Sequence, residues 1–227
     1  MRKKDTGVQE TLSDSLIEVN RMRVVEIQAV KSESPSVKSI FFKDDLCAKA
    51  EAGQFLMVWV PGVDEIPLSL SSMSSGHGLS SVTVAEVGEA TRALNQMKIG
   101  DQIGIRGPLG NHFETIGERV IVVGGGIGTA PLMPLIEDLL KEHLNVTVLI
   151  GAITGSELLF PDRLKLIRGI GKIIVTTDDG SCGAKGLVTD ALYRILSSER
   201  FDNIYACGPE KMMYKAYLLS EQYQTPL

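Results

Sequence analysis

Cysteine is scarce in this sequence: only Cys47, Cys182 and Cys207, odd in number and far apart. That spacing argues against a disulfide framework, and without a C-x-x-C pair it does not suggest zinc. The expected setting is reducing and cytoplasmic. Histidine is just as sparse. His77, His112 and His143 stand singly, which reads as surface or packing rather than metal ligation, so no metal site is expected. No run is long and apolar enough to cross a bilayer. The polar start, residues 2–10, does not resemble a secretory signal. Basic excess is missing too. The net charge is −5, and Arg2-Lys3-Lys4 is the only local basic run, which argues against a nucleic-acid surface. What remains is globular stock: 44% hydrophobic and 22% charged residues over 227 positions, enough for two small domains or one large one.

The chain changes grammar near its middle. Residues 1–20 are mixed and polar, a tail with at most a short helix over 12–17. From Arg23 onward short strand-like stretches follow one another. Val24, Ile27 and Val30 lead into 37–42, and then come 54–60, 67–72, 81–87 and 102–108. They are rich in aromatic and β-branched residues and are punctuated by turns such as Pro61-Gly62, which predicts an antiparallel barrel. One short helix is expected within it, over 93–97. Residues 114–118 read as a linker. Beyond them, strands at 119–123, 145–150, 172–177 and 203–207 alternate with helices over 131–142 and near Leu164, Leu192 and Tyr214. Continuous apolar strands alternating with helices predict a parallel sheet covered on both faces. The expected organisation is a tail over 1–20, a barrel domain over 21–116 and an α/β domain over 117–227.

Three motifs fall at the carboxyl ends of the predicted parallel strands, where open α/β sheets hold their ligands. The first is Gly124-Gly125-Gly126-Ile127-Gly128-Thr129-Ala130-Pro131. Its glycines allow a sharp turn and close backbone approach, and the helix that follows offers free N–H groups to a pyrophosphate. It departs from G-x-G-x-x-G because Thr129 takes the place of the third glycine, and no acidic residue ends the second strand. The plainer reading is a tight structural turn. The second motif is Cys207-Gly208-Pro209-Glu210-Lys211-Met212-Met213. Gly208-Pro209 forces a turn and Pro209 can open a helix, while Cys207 could equally be a small buried apolar residue. Met212 and Met213 are expected in the helix core. The third is Thr177-Asp178-Asp179-Gly180-Ser181, whose carboxylates suit either ribose hydroxyls or a local turn. In the barrel half, Pro67-Leu68-Ser69-Leu70-Ser71-Ser72 reads by itself as a serine-rich strand edge.

Taken together these stretches resemble the ferredoxin–NADP reductase superfamily and, within it, the electron-transfer subunits of dihydroorotate dehydrogenase. The resemblance rests on Pro67-Leu68-Ser69, Gly107-Pro108-Leu109-Gly110-Asn111, Gly124 to Pro131, Thr177 to Gly180 with Lys185 to Asp190, and Cys207-Gly208-Pro209, in that order. It implies a barrel that holds FAD, an α/β domain that holds NAD(P)H, and hydride transfer between them. By the resemblance Ile66, Pro67, Leu68 and Ser69 line the flavin, with Ser69 beside its reactive nitrogen. Thr83, Val84 and Ala85 lie along the isoalloxazine and ribityl chain, and Ala90 and Thr91 meet the pyrophosphate. Gly126, Ile127, Gly128 and Thr129 hold the nicotinamide nucleotide, with Asp178, Cys207, Gly208 and Pro209 near it. Ser69 and Cys207 stand closest to the chemistry. Such chemistry needs alignment of two cofactors rather than an acid or base from the protein.

The resemblance also implies a partner, the catalytic dihydroorotate dehydrogenase subunit of pyrimidine biosynthesis, in a hetero-oligomer. The departures are specific. Ile66 stands where the family commonly has Arg, Val84 and Ala85 where an aromatic and an Arg are common, and Ala90 where Gly is common. Arg92 is expected to supply the missing charge. The family's [2Fe-2S] cysteines would follow the last helix. The chain stops at Leu227, and its three cysteines lack four-cysteine spacing, so no cluster is expected on them. Residues 151–159 hold no Lys or Arg for a 2′-phosphate, which favours NADH. Two other readings stay open. One keeps the fold with another acceptor, as in a hydrogenase or sulfur-reductase subunit. The other is a scaffold subunit that has lost its flavin.

Overall fold

The computed structural model describes residues 17–73 and 78–227. The helix expected over 12–17 therefore lies almost wholly outside the described residues, and so does His77.

Six strands form a closed barrel: β1 (Arg23–Ser34), β2 (Val37–Phe42), β3 (Phe55–Val60), β4 (Asp64–Ser72), β5 (Ser80–Ala85) and β6 (Gln102–Leu109), in the order β1-β2-β5-β4-β3-β6. Every pairing is antiparallel, and β1 against β6 closes the ring, so no sheet edge is left open. Alternation decides which side chains fill it. On β3, Leu56, Val58 and Val60 point inward, while Phe55, Met57 and Trp59 point out. Strand β5 breaks this rule, since Ser81, Val82, Thr83 and Val84 are all buried. Val82 and Val84 fill the barrel, and the hydroxyl face of β5 lies under the other half of the molecule. Helix α1 (Glu89–Gln96) closes one end with Ala90 and Leu94. It begins earlier than its sequence suggests because its first turn is polar and carries no apolar signal.

The second half is a five-stranded sheet ordered β10-β9-β8-β7-β11, parallel throughout. Its strands are β7 (Arg119–Gly125), β8 (Asn145–Ala152), β9 (Lys172–Thr177), β10 (Ala184–Lys185) and β11 (Asn203–Cys207). Helix α2 (Thr129–Lys141) covers one face with Leu132, Met133 and Ile136. Helices α4 (Val188–Ser198) and α5 (Glu210–Tyr223) cover the other, with Leu192, Ile195, Ala216 and Leu219. Helix α3 (Pro161–Arg168) packs beside β9. Since β8 and β11 flank β7 on opposite sides, the chain changes direction there, and the crevice expected to hold a ligand opens above β7.

The two halves share a core. Val37 and Ala52 of the barrel belong to the same apolar cluster as Leu132, Val148 and Phe160. Full burial of one such side chain contributes about 1.5–3 kcal/mol, whereas an exposed ion pair like Lys31 with Asp162 contributes about 0–1 kcal/mol, so apolar contact dominates the junction. A buried polar layer runs beside it. Glu33, its side chain 2% exposed, accepts from Ser39 Oγ at 3.0 Å and from the Phe160 backbone N–H at 3.3 Å. Ser39 meets the Thr83 hydroxyl at 2.8 Å, and Thr83 meets Ser71 at 2.7 Å. Arg163 donates to the Ser71 carbonyl at 2.7 Å and to Glu137 at 2.8 Å. Phe160 has left-handed backbone (φ 56°, ψ 43°), a costly conformation for a large side chain, and here it is held by full burial and the Glu33 bond.

Candidate functional site

Strand β7 runs straight into the glycine motif. Gly126 to Gly128 form one tight turn, and α2 starts at Thr129, two residues before Pro131. Gly126 has φ +52°, which favours glycine, and a Cβ built there would meet nothing within 4 Å, so its outer side is open. Gly128 is the opposite case. Its φ is ordinary, but a Cβ would lie 2.5 Å from the Cys207 carbonyl and from Gly208 Cα. The glycine here is needed because two loops touch.

That contact joins motifs about eighty residues apart in sequence. Cys207 ends β11 in register with Gly124 of β7. A Cβ on Gly125 would strike Met212 Sδ at 2.5 Å, and one on Gly208 would strike Met212 Cε at 2.7 Å. Met212 therefore packs over both turns, as expected for a core residue. Met213 does not, since it is 39% exposed on the outer face of α5. Pro209 is the cap of α5 rather than its first helical residue. Cys207 is half-buried, and burial raises its thiol pKa, so it is a neutral thiol at neutral pH.

Asp178 follows β9, two strands from β7 on the side away from Cys207. Three strand spacings of about 4.8 Å place Asp178 and Cys207 roughly 14 Å apart across the sheet edge. That is the reach of an extended dinucleotide, with the glycine turn between its ends. The Gly126–Gly128 turn also lies against β5 of the barrel, which brings the two halves of the expected site together.

On the barrel side, Ile66, Leu68 and Ser69 are half-buried on β4 and Pro67 is exposed. Thr83 and Val84 face opposite ways. Val84 is 1% exposed within the barrel core, so its side chain reaches no ligand and only its backbone is available. The Thr83 hydroxyl is engaged by Ser39 and Ser71. Ala85 is half-buried against the shared core. Thr91 Oγ1 accepts from the backbone N–H groups of Val87 and Gly88 at 2.9 and 2.8 Å, which caps α1 internally. Gly88 has open space beside it, and Ala90 is buried under the helix start. Arg92, expected to supply charge, pairs with Glu86 at 3.1 Å on the surface. The residues available for a flavin thus offer backbone, hydroxyl and small side chains, with the cations in pairs elsewhere. They can meet such a group through hydrogen bonds from Ser69 and the backbone rather than through charge.

Two open clefts, of about 520 and 490 Å³, lie elsewhere, one beside Lys38 and Asn95 and the other beside His112 and Glu114. Neither includes a residue of the strand-end loops. Among the described residues no helix is long and apolar enough to cross a membrane.

Comparison with known proteins bears on this arrangement directly. The family described as an oxidoreductase NAD-binding domain matches residues 122–217, which hold all three strand-end motifs. A protein of Methanocaldococcus jannaschii, named as a probable dihydroorotate dehydrogenase B (NAD(+)) electron transfer subunit, is 41% identical over 204 residues, 90% of this chain and 75% of its own length. One of the same name from Methanocella arvoryzae is 43% identical over 189 residues, 83% of this chain and 69% of its own. Among solved structures, an NADH-dependent reduced ferredoxin-NADP oxidoreductase, studied for flavin-based electron bifurcation, superposes with a TM-score of 0.80 at 32% identity, covering 89% of this chain and 74% of that one. The cytochrome b5 reductase domain of Ulva prolifera nitrate reductase shares the fold at 17% identity, with a TM-score of 0.74 over 90% of this chain and 94% of that one. This chain belongs to the family of dihydroorotate dehydrogenase B (NAD(+)) electron transfer subunits, which has the ferredoxin reductase-like fold.

Proposed function

We propose that this chain is a flavoprotein reductase subunit that takes hydride from NADH onto FAD and passes electrons to a partner, the catalytic subunit of dihydroorotate dehydrogenase in pyrimidine biosynthesis. The observation that carries the reading is the contact of Gly128 with Cys207 and Gly208, beside β5 of the barrel. It sets the dinucleotide loop and the expected flavin strand on one edge.

The protein's part is binding and alignment. Backbone N–H groups of Gly126 to Gly128, just ahead of α2, bind the pyrophosphate of NADH with the help of the helix dipole, while the Thr129 N–H is held by the Gly126 carbonyl and closes the turn. Cys207 and Gly208 form the floor on which the nicotinamide ring lies, and the neutral thiol keeps that floor free of charge. Asp178 accepts from the adenosine ribose at the far end. On the barrel, Pro67, Leu68 and Ser69 would line the flavin, with the Ser69 hydroxyl as a donor to it. Thr83 to Ala85 would support it through backbone, and Ala90 and Thr91 would hold its pyrophosphate end. FAD, when bound, supplies the conversion from two-electron to one-electron transfer. The names of the relatives support a hetero-oligomer with the catalytic subunit, and three free cysteines fit a reducing cytoplasm.

Co-expression with the catalytic subunit tests the partner, and mass spectrometry of the extracted cofactor tests the flavin. The expected result is one complex that yields FAD. A chain that never associates points to another acceptor, such as a hydrogenase or sulfur-reductase partner. A chain that takes up no flavin becomes the scaffold subunit that Ile66, Val84 and Ala85 would suit.

A further inference from the structure

One side chain joins the two elements on which the candidate site is built. Arg163, in the first turn of α3, donates from Nε to Glu137 of α2 at 2.8 Å and from Nη1 to the Ser71 carbonyl of β4 at 2.7 Å. Helix α2 begins at the dinucleotide turn, and β4 carries Ser69 two residues before Ser71. The guanidinium is therefore a direct tie between the halves.

The carbonyl it takes lies at an irregularity of the barrel. Leu70 of β4 stands opposite Val82 of β5, but Ser72 stands opposite Ser81, so Ser71 is an extra residue on β4. A bulge leaves its extra residue out of the ladder and bends the strand locally. The Ser71 hydroxyl is held as well, by Ser81 at 2.9 Å and by Thr83 at 2.7 Å. The start of α3 is fixed a second time, since the Phe160 N–H donates to Glu33 of β1 and the guanidinium carbon lies 5.3 Å from the Phe160 ring centroid. Thus α3 is attached to the barrel at both β1 and β4.

Stability alone does not account for an arginine at this point. Its Nη2 is buried and has no partner among the described residues, and a buried donor left unpaired is a cost. Apolar side chains in place of a largely buried ion pair are often neutral or stabilising. What a planar guanidinium adds is fixed geometry, because its donors leave in set directions. Here Nε and Nη1 set the spacing between α2 and the bulge.

We propose that Arg163 is a positioning residue, which by holding the β4 bulge against α2 sets the distance from the flavin strand at Ser69 to the nicotinamide floor at Cys207 and Gly208. It acts through Ser71 and Glu137. The inference rests on the reductase reading above and deepens it. In that reaction the nicotinamide gives up a hydride, leaving as NAD+, and the flavin is reduced by it. A misplacement of about 1 Å can cost such a step roughly a hundredfold in rate.

Stopped-flow mixing of the FAD-loaded chain with NADH, without oxygen, separates the limiting rate of flavin reduction from the NADH concentration that half-saturates it. Calorimetry on the same variants gives the affinities for FAD and for ADP-ribose. Arg163→Met, which keeps the stem and its packing, should lower the limiting rate by about tenfold or more while both affinities stay within about threefold of wild type. Arg163→Lys, which keeps the charge and a donor, should recover part of the rate. Without flavin, amide hydrogen exchange in Arg163→Met should quicken over residues 69–72 and stay unchanged along β7. Glu137→Gln loosens the tie from the α2 side and should slow the reaction by about threefold. An unchanged limiting rate in Arg163→Met overturns the proposal and leaves the reductase reading standing. A loss shared equally by the rate and both affinities makes Arg163 a packing residue and overturns it too. If Arg163→Met does not fold, wild-type rates in both Arg163→Lys and Glu137→Gln overturn it instead. If NADH leaves the flavin of the wild type oxidised, the reductase reading fails and the proposal with it.

Discussion

Alanine at Gly128 and alanine at Gly126 should fail in different ways. At Gly128 the added Cβ lies 2.5 Å from the Cys207 backbone, and ordinary contact begins near 3.4 Å, so the turn must open by about 0.9 Å. The obstacle is backbone on β11, which is paired residue by residue with β7 and cannot swing aside as a side chain would. Overpacking of this kind costs about 1–3 kcal/mol. For a chain of this size each kcal/mol lowers Tm by about 2–4 °C, so Gly128→Ala should melt roughly 2–12 °C below wild type. Gly126→Ala meets no atom within 4 Å and suffers only from its φ of +52°, worth about 1–2 kcal/mol. Its methyl group projects into the open side of the turn, where the nucleotide is proposed to lie. It should therefore keep more of its stability and lose ADP-ribose affinity. Thermal melts and calorimetry on both variants give the comparison. A Gly128→Ala protein that melts within a degree of wild type would show that the two loops are not in contact, and the site as described would fail.

Three other predictions come from groups away from that turn. Burial pushes the Asp44 carboxyl up, but hydrogen bonds from Arg23 and the Cys47 backbone N–H outweigh it and hold the pKa below the usual range. A lowered folded pKa stabilises above the unfolded value near 3.9, and the gain is lost as pH falls through the folded value. The stability gap between wild type and Asp44→Asn should thus be constant above about pH 5 and shrink below about pH 4; a gap undiminished at pH 3 would contradict the assignment. Glu33→Ala leaves the Phe160 N–H without its acceptor inside the shared core, and urea unfolding should register a loss of about 1–3 kcal/mol, where a loss under 0.5 kcal/mol would mean the polar layer does not hold the halves together. Burial and the neighbouring Asp44 raise the Cys47 thiol far above its normal pKa, so a thiol reagent should label exposed Cys182 at once, Cys207 slowly, and Cys47 only on unfolding. Equal rates at all three would refute the burial assigned to them.

Much of this fold can be read from the chain because its two halves follow different periods. Alternation along β3 and the unbroken apolar run of β7 each fix a strand and tell which faces are covered. The glycine and Cys-Gly-Pro motifs are legible singly, since their residue types suit turns at strand ends. Their mutual contact is not, because it depends on β11 crossing over to lie beside β7. Strand β10 escapes notice for a simpler reason: Ala184 and Lys185 are both exposed and carry no pattern. The layer of Glu33, Ser39, Ser71 and Thr83 is hidden by topology, as β5 sits between β2 and β4 and joins hydroxyls far apart in sequence. Its trace in the sequence is the run of hydroxyls on β5, too polar for a strand buried on both faces unless they bond to one another. Val84 shows the converse limit. Resemblance places it along a cofactor, while strand phase turns its side chain into the barrel.

One edge of this molecule is proposed to align NADH with a flavin. The direct measurement is the visible absorption spectrum of the purified chain, loaded with FAD and free of oxygen, before and after NADH is added. Flavin bands that bleach on adding NADH are the expected result. A protein that stays colourless when FAD is supplied, or flavin bands that NADH leaves unchanged, would contradict it.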